Sequence, residues 1–191
     1  MSEEAMVVEE ALTGNVPAFE KLVSMYGKRI YNYCYRMTGN KEDAEDIAQD
    51  VFVKSYRSLG GFRRNSQFST WLYRIAYNAC IDFHRKKKFV TVHALEHDED
   101  NRQLVTEIAS DGLSLEEEVL MNERKNAVHQ AIAKLRPEYR TVVLLRDIDG
   151  LSYDEISGVL NIPLGTVKSY ISRAREELRI SLHYEFGKDG N

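Results

Sequence analysis

The chain has 191 residues, of which 43% are hydrophobic and 29% are charged, and its formal net charge is −4. This length suits one domain of ordinary size or two small ones. No stretch of about eighteen apolar residues occurs, so we expect no membrane span. The acidic start of the chain lacks the basic residue and apolar run of a secretory signal, and two cysteines provide neither a disulfide framework nor a C-x-x-C metal motif. We therefore expect a soluble, cytoplasmic protein without a cofactor.

Charge is strongly segregated along the chain. Residues 1–50 carry five basic and ten acidic side chains, and residues 63–88 carry seven basic side chains against one acid, Asp82. Residues 89–123 then carry one basic and ten acidic side chains. Such asymmetry is typical of proteins that use electrostatics for binding. A solvated surface followed by an acidic spacer would give the same counts, so the motifs must decide.

The N-terminal half reads as three helices. Apolar residues recur at three- and four-residue steps over residues 19–37, which predicts the first helix. Residues 38–40 (Thr-Gly-Asn) supply a turn, a second helix follows over about 41–56, and a third over about 68–84. The inward face predicted for the second helix comprises Ala44, Ile47, Ala48, Val51, Phe52 and Tyr56.

The third helix and the loop before it combine aromatic and basic residues. Aromatic faces beside cations suit single-stranded nucleic acid, because bases stack on the rings and the cations hold the backbone. Trp71 by itself is more typical of a core, and Asn78 is either an exposed amide or a group that hydrogen-bonds a base edge. Residues 85–88 complement the helix dipole and are also suited to gripping phosphates. The rings are Phe62, Phe68, Trp71, Tyr73, Tyr77 and Phe83.

Periodicity fades after this basic cluster. Residues 89–92 read as briefly extended, and residues 93–115 are polar, acidic and aperiodic, as in a linker. Helical spacing returns over 120–135, ends before Pro137, and resumes over 139–145. The fold class predicted is all-α, with two small helical domains joined by a flexible acidic linker. The predicted boundaries are 16–88 and 117–185 for the domains and 89–116 for the linker.

The C-terminal domain carries a helix-turn-helix pattern. Ser152 and Glu155 form a capping box that starts a helix, residues 161–163 close it, and the next helix has an apolar stripe and a basic, polar outer row. An ordinary helical hairpin with a solvated basic face would share part of this pattern. The capping box, the tight turn and the basic row together favour the helix-turn-helix. The residues predicted to be exposed are Lys168, Ser169, Tyr170, Ser172, Arg173 and Arg175.

These exposed residues are candidates for DNA contact. A Lys or Arg near the start of a recognition helix can reach guanine O6 and N7 in the major groove, so Lys168 and Arg173 are candidates for base readout. Arg146 and Arg175 are predicted to hold phosphates, which position a domain without specifying sequence. The shorter hydrogen-bonding neighbours on the helix are Ser169 and Ser172.

Four segments together resemble a known family. Residues 43–52 read DAEDIAQDVF, residues 68–78 read FSTWLYRIAYN, residues 149–156 read DGLSYDEI, and residues 165–169 read GTVKS. They resemble bacterial sigma factors of the sigma-70 family, in the extracytoplasmic-function (ECF) class. The resemblance covers both domains in the right order and with the right gap. Any one motif is moderately specific, and the set is very specific.

The resemblance implies that the N-terminal domain is sigma region 2. A face formed by Asp46, Gln49 and Asp50 would dock on the coiled coil of the beta-prime subunit of core RNA polymerase, with the beta subunit as a further partner. The loop over about 61–67 and the following helix would open the −10 promoter element and capture a flipped base, which costs a few kcal/mol of stacking. The implied −10 contacts are Phe62, Arg63, Arg64, Trp71, Arg74, Asn78, Arg85 and Lys86.

The C-terminal domain is similar to sigma region 4, which reads the −35 element. Three positions depart from the family pattern. Tyr170 stands where a basic residue is common, and Ser157 stands where Ala is usual. Lys168 stands where some relatives carry Arg, and a lysine cannot make the planar two-pronged contact of an arginine. The implied −35 contacts are Arg146, Lys168, Ser169, Tyr170, Ser172, Arg173 and Arg175.

The resemblance also implies partners. ECF relatives act in stress responses and are commonly held inactive by a cognate anti-sigma factor, often anchored in the membrane, while the sigma factor itself does not insert. The linker is similar to the segment that relatives thread toward the RNA exit path. Because the net charge is negative, we expect the free protein to bind promoter duplex poorly, since phosphate repulsion opposes it and the polymerase supplies many of the nucleic-acid contacts.

Two other classes of protein remain as alternatives. A stand-alone helix-turn-helix regulator would bind duplex DNA without polymerase, but its usual sensing domain alternates strands and helices, and no strands are predicted in the N-terminal half of this chain. A metal enzyme would need ligands such as His93 and His97, yet these lie in the aperiodic segment and no third ligand is placed. We therefore predict no enzyme and no metal. Cys34 and Cys80 fall in helical patterns, and we expect both to be buried and structural.

Overall fold

The computed structural model describes residues 2–93 and 115–186, and within these ranges it is all-α, as predicted, with no β-strand. Residues 94–114, which hold most of the predicted linker, lie outside the described residues. We call α1–α4 the N-terminal bundle and α5–α8 the C-terminal bundle. The helices are α1 (Glu3–Leu12), α2 (Val16–Thr38), α3 (Lys41–Ser58), α4 (Phe68–His93), α5 (Leu115–Lys134), α6 (Pro137–Val143), α7 (Tyr153–Leu160) and α8 (Leu164–Phe186).

Helix α1 is absent from the sequence prediction, whose first domain begins at residue 16. Ser2 caps it by accepting a hydrogen bond from a backbone N–H of the first turn. Its inner face buries Val7, Val8 and Ala11 against α2. A ten-residue helix with four glutamates gives only a weak periodic signal, so the pattern was missed.

The connection between α2 and α3 follows the predicted turn. Gly39 adopts a left-handed conformation with φ of +72°, and its N–H donates to the Tyr35 carbonyl at 2.8 Å. Glycine adopts this conformation without the steric cost that a Cβ would add, and it is the common way to end a helix. The Asn40 side chain then caps α3 by accepting from the Asp43 N–H at 3.0 Å. Local chemistry alone therefore fixes where α2 ends and α3 begins.

Three predictions about element limits and faces are wrong. Residues 89–92, expected to be extended, are helical, because α4 continues to His93. Lys and Arg at 85–88 are good helix formers, and no Gly or Pro follows to end the helix. Helix α5 begins at Leu115, inside the predicted linker. Tyr56, predicted to face inward, is 48% exposed and packs edge-on against Phe19 at the surface.

The helix-turn-helix is built as its sequence predicts. The Ser152 side chain accepts from the Glu155 N–H at 3.2 Å, and the Glu155 carboxylate accepts from the Ser152 N–H at 2.7 Å. Asn161 closes α7 in the left-handed conformation with φ of +54°. Ser157, one of the departures from the family pattern, donates its hydroxyl to the Ile162 carbonyl at 2.6 Å. The hydroxyl therefore fastens the turn between the two motif helices.

A single π-helical turn follows α6 at Leu144–Ile148. The Asp149 N–H donates to the Leu144 carbonyl at 3.0 Å, five residues back instead of four. The wider turn lets consecutive residues face the interior, so Leu144 and Leu145 are both buried beside the buried end of α6. It also turns the next two side chains, Arg146 and Asp147, toward the motif helices.

The two bundles share one hydrophobic core. Helix α7 packs on α4, and α2 touches both α5 and α6. The buried cluster is continuous from the N-terminal bundle into the C-terminal bundle. The sequence indicated two domains and a linker but gave no sign of this packing. Its fully buried members include Tyr33, Met37, Leu72 and Tyr73 from the first bundle and Val142, Leu145, Ile156 and Ile171 from the second.

Candidate nucleic-acid and polymerase interfaces

The recognition helix α8 separates a buried stripe from an exposed polar row. Val167, Ile171 and Ala174 are buried in the core beneath it. On the other side, the structure brings together the exposed side chains predicted to read bases. This row consists of Lys168, Ser169, Ser172 and Arg173.

Tyr170, predicted to be exposed in the same row, is half-buried instead. Its ring packs edge-on against Tyr139 with centroids 5.4 Å apart. The Arg136 guanidinium lies 3.7 Å from the Tyr139 ring centre and 5.5 Å from that of Tyr170. The ring therefore joins an aromatic and cationic cluster at the edge of the core and does not belong to the exposed row.

The two arginines predicted to hold phosphates are both engaged within the protein. Arg175 makes a two-pronged pair with Asp147, at 2.5 Å and 3.3 Å, and this hydrogen bond raises the pKa of Arg175. Arg146 donates to the Leu151 carbonyl at 2.8 Å and lies over the Tyr153 ring at 5.0 Å. A phosphate contact by either arginine stays a prediction, and it would have to share these bonds or replace them.

The predicted −10 region contains an aromatic cluster of Phe62, Phe68 and Trp71. Each pair of rings has centroids between 5.4 and 5.8 Å apart. Phe62 and Phe68 are buried, while Trp71 is half-exposed. Phe62 was predicted as a DNA contact, but its ring belongs to the core because burying a large apolar side chain is favourable. Trp71 is the ring of this cluster that offers the most accessible surface.

The loop before α4 is contacted by α1, the helix that the sequence did not predict. Arg64 adopts φ of +57°, and its guanidinium pairs with the Glu9 carboxylate at 2.5 Å. Both side chains are exposed, so the pair itself contributes little stability. It does fix where the Arg64 side chain points. A cavity of about 380 Å³ lies between α1 and this loop, lined by Val8, Phe62 and Gln67 among others.

The acidic face of α3 is open to solvent. Asp46, Gln49 and Asp50 are all exposed and line one concavity of about 400 Å³. Lys86, predicted to contact −10 DNA, lines the same concavity, and its neighbour Arg85 pairs with Asp82 at 3.0 Å. The basic end of α4 therefore lies beside the predicted polymerase face.

Arg74 and Asn78 lie on α4 beyond Trp71, and both are exposed. The Arg74 guanidinium donates two hydrogen bonds, of 2.9 and 2.5 Å, to the Gly158 carbonyl of α7. A predicted −10 contact is thus bonded to the helix-turn-helix. No local pattern indicates this pairing, because the two residues are far apart in sequence.

Arg140 joins the two bundles from the other side. Its guanidinium donates to the Met37 carbonyl at 2.6 Å, to the Ile132 carbonyl at 3.2 Å, and also to the Ala133 and Leu135 carbonyls. These carbonyls lie at or just beyond the C-terminal ends of α2 and α5, where the last carbonyls of a helix lack the usual partner four residues on. The Ile132 carbonyl also accepts from the Leu135 N–H at 3.1 Å, and the Met37 carbonyl lies 3.0 Å from Nε2 of His84. The burial of Arg140 lowers its pKa.

The remaining predicted features concern metals, thiols and membranes. No group of three metal-ligating side chains occurs in the two described ranges, and His97 lies outside them. Cys34 and Cys80 are both buried, as expected, and a hydrogen bond with Cys80 together with burial raises the pKa of Cys34. None of the helices described is long and apolar enough to span a membrane.

Comparison with known families matches both bundles. Residues 22–90 match the family described as Sigma-70 region 2, and residues 125–178 match Sigma-70, region 4. The chain is 44% identical over 176 residues to the ECF RNA polymerase sigma factor SigW of Bacillus subtilis (strain 168), covering 92% of this chain and 94% of that protein. The chain therefore belongs to the ECF sigma factors of the sigma-70 family.

Other relatives agree. The chain is 37% identical to the RNA polymerase sigma-H factor of Pseudomonas aeruginosa over 92% of each chain, and 35% identical to the ECF RNA polymerase sigma-E factor of Escherichia coli (strain K12) over 91% of each. Two solved structures share the fold at lower identity. CnrH, in complex with the cytosolic domain of CnrY, is 23% identical, with a TM-score of 0.70 over 96% of this chain and 99% of that one. RpoE of Bartonella quintana, in complex with the anti-sigma factor NepR, is 22% identical, with a TM-score of 0.71 over 87% and 98%.

Proposed function

We propose that this protein binds core RNA polymerase and directs transcription initiation at specific promoters, reading the −35 element and melting the −10 element. The proposal rests on one observation: this chain exposes two surfaces, one in each of the two regions that match sigma factors. These surfaces are the acidic face of α3 (Asp46, Gln49 and Asp50) and the polar row of α8.

At the −35 element, α8 lies in the major groove. Lys168 and Arg173 donate hydrogen bonds to base edges, and Ser169 and Ser172 add shorter contacts. The underlying stripe holds the helix rigidly on the core, so these side chains approach the groove together. Arg146 and Arg175 lie at the margin of the row, where phosphate contacts would set its register on the duplex.

At the −10 element, α4 and the loop before it receive the separated strand. Extruding a base costs a few kcal/mol of stacking, which new contacts must offset. The accessible part of Trp71 offers a ring for stacking, while Asn78 and Arg74 on the same helix offer donors to bases and phosphates. Arg63 and Arg64 extend this positive surface along the loop. Nucleotide addition is the chemistry of the polymerase.

The polymerase contact is assigned to α3. Its carboxylates suit a positively charged partner surface, and the resemblance to the family supports the beta-prime coiled coil as that surface, with the beta subunit as a further contact. We also propose a cognate anti-sigma factor, supported by the solved relative that is bound to NepR. The polymerase and the chromosome are both in the cytoplasm, so we propose that this protein acts there.

The experiment that tests the function is run-off transcription with core polymerase from the source bacterium on a library of genomic promoters. We expect discrete transcripts that share two spaced upstream elements and that require this protein. Absence of new transcripts, with the protein bound to duplex DNA alone and not to core polymerase, would support the stand-alone regulator instead.

A matched pair of variants separates polymerase docking from folding. Asp50→Lys should weaken binding to core polymerase at least tenfold, because it places a cation on the acidic face. Glu20→Lys makes the same change at an exposed position on α2, outside this face, and should bind core polymerase as the wild type does. Equal binding by both variants would mean that polymerase docks elsewhere.

A further inference from the structure

A cavity of about 320 Å³ lies between the two bundles, with walls from α2, α4, α5 and α6. We propose that it is a binding site for a small organic phosphate, that is, one phosphoryl group carried on a flat apolar body. None of its lining residues belongs to the surfaces assigned to polymerase or DNA. Its volume is at the lower end of the usual range for small-molecule sites, about 300–1,000 Å³. The lining residues that bear on the ligand are Tyr35, Arg36, Phe83, His129, Ile132 and Arg140.

The charges that line the cavity have one sign. Arg36, Lys87 and Arg140 contribute cations, His84 and His129 add imidazoles that can become cationic, and no Asp or Glu is among the described residues of the lining. A concave site with charges of one sign concentrates the potential and attracts ions of the opposite sign. The pKa of His129 is lowered by burial and then by two nearby cations, as expected of an imidazole in a positive environment. The cavity is therefore suited to an anion.

Two of these cations balance charges of the protein itself. Both α2 and α5 end beside the cavity, and the C-terminal end of a helix carries a partial negative charge. Arg140 compensates this charge by donating to four carbonyls at or just beyond these ends. Lys87 pairs with the Asp43 carboxylate at 3.7 Å. A ligand must therefore be held by other donors of the lining.

Arg36 supplies such donors. It lies half-buried in the last turn of α2 and makes no hydrogen bond or ion pair with the residues that the structure describes. Its charge reaches Asp149 and His129 only at longer range. A guanidinium presents a planar fork of N–H donors that matches two oxygens of a phosphate. The Arg36 guanidinium is therefore the group that we assign to the phosphoryl oxygens.

His129 adds a second donor. Its Nδ1 is buried and has no hydrogen-bond partner in the described part of the chain. Its Nε2 also makes no hydrogen bond there, and it is not buried. Which ring nitrogen carries the proton depends on the hydrogen bond that the other one makes. Since no partner holds the proton on Nδ1, Nε2 is able to carry it and to donate to an anion in the cavity.

The rest of the lining is largely apolar or aromatic. Phe83 and Tyr35 contribute rings, and Ile132 and Ala133 contribute aliphatic side chains. An inorganic ion would leave these surfaces in contact with water, whereas a flat apolar body would cover them, which is favourable. The ligand that fits both parts of the lining is therefore an organic phosphate with a body about the size of one ring.

The test is isothermal titration calorimetry of the full chain with phenyl phosphate, in a phosphate-free buffer at constant ionic strength. We expect saturable binding of one ligand per chain. Phenol, which lacks the charge, and benzoate, which carries a single negative charge, should bind about tenfold more weakly or less. Inorganic phosphate should also bind more weakly, because it leaves the apolar lining uncovered. No saturable binding of phenyl phosphate, or equally tight binding of any of the other three, would overturn the proposal.

A pair of variants locates the site. Arg36→Gln removes the guanidinium and should weaken phenyl phosphate binding by about tenfold or more, since hydrogen bonds between charged groups are strong. Arg57→Gln makes the same change at an exposed position near the end of α3, outside the cavity, and should bind as the wild type does. Arg36 also complements the dipole of α2, so melting curves of both variants are measured alongside. Lower stability of Arg36→Gln with unchanged affinity would mean that Arg36 serves only the helix end, and would overturn the proposal.

A measurement on the wild type does not depend on any variant. In NMR spectra, phenyl phosphate should shift the imidazole signals of His84 and His129 and leave that of the exposed His183 unchanged. It should also raise the melting temperature, because it binds the folded chain. Equal shifts at all three histidines would show unspecific binding and contradict the site. These measurements use neither polymerase nor DNA, so their failure is distinct from a failure of the proposed function.

Discussion

Arginine side chains divide into two kinds in this protein. One kind donates hydrogen bonds to carbonyls or carboxylates of the protein itself, as Arg74, Arg140 and Arg175 do. Arg173, by contrast, stands exposed in the polar row of α8. The sequence predicted which face of α8 would be outside, apart from the half-buried Tyr170, because apolar residues at helical spacing mark the buried side. It could not show which guanidinium groups would be bonded internally, because their partners are distant in the chain.

Arg173 should contribute sequence discrimination. We expect Arg173→Ala to cost about 1–3 kcal/mol at one position of the −35 element and to flatten the preference there. Competition binding of holoenzyme to promoters with each base at each −35 position measures this. Arg179→Ala, on the same helix but paired with Glu176, should change little. A uniform loss across all promoters would identify Arg173 as a phosphate contact.

The thiol of Cys34 should be inert in the native protein. Hydrogen bonding with Cys80 and burial raise its pKa, so almost no thiolate forms at neutral pH. We expect Ellman's reagent to label native protein only at the rate at which it unfolds, and to label both thiols at once in denaturant. Fast labelling of the native protein would show that the α2–α4 contact opens on its own.

At the scale of helices, local rules predicted the limits best where a cap or turn residue marks them. The capping box of α7 and the turn at Gly39 were both readable from the sequence. The C-terminal limit of α4 was not, since no residue there stops a helix. Helix α1 was missed because it is short and depends on burying Val7, Val8 and Ala11 against α2.

The capping box of α7 should matter to stability. Ser152→Ala removes the acceptor for the Glu155 N–H at the start of an eight-residue helix, and we expect the free energy of unfolding to fall by about 1 kcal/mol. Urea denaturation measures the change. Ser24→Ala is the control, because that exposed hydroxyl only bonds a carbonyl within α2 and its loss should be nearly neutral. Equal effects would show that the cap is not specific.

At the scale of the whole molecule, the two bundles meet around a cavity of about 320 Å³ with a positive lining. His84 and His129 line it together with Arg36, Lys87 and Arg140. Burial and nearby cations lower the pKa of both histidines, although a hydrogen bond with the Met37 carbonyl and, to a smaller extent, Asp43 oppose the effect at His84. Sequence reasoning could not find this cavity, because its walls come from α2, α4, α5 and α6.

The lowered pKa of His129 predicts a pH dependence. Burial is the main cause, and Arg36 and Lys125 add to it. A histidine with a lower pKa in the folded state resists protonation, so its contribution is fully present above the unfolded pKa of about 6.5. It is lost as pH falls from there through the lowered value. We therefore expect the melting temperature to fall as the pH is lowered from about 7.5 to about 5.

His129→Gln should reduce that fall, because glutamine does not titrate. Melting curves across this pH range measure the difference. His183→Gln changes an exposed histidine near the end of α8 and should keep the wild-type profile. A His129→Gln profile identical to wild type would assign the acid sensitivity to other groups.

The π-helical turn at Leu144–Ile148 determines how the C-terminal bundle would respond to the deletion of one residue. This turn holds one residue more than an α-helical turn, so removing one residue would leave an ordinary helix with its ladder of hydrogen bonds complete. The chain beyond the deletion would then keep nearly its present direction, because the surplus residue is taken up within the wide turn itself. A deletion from an ordinary α-helical stretch, by contrast, rotates every following side chain by about 100°. The wide turn is therefore the place where this helix could lose one residue and still lead into the recognition motif in the same direction.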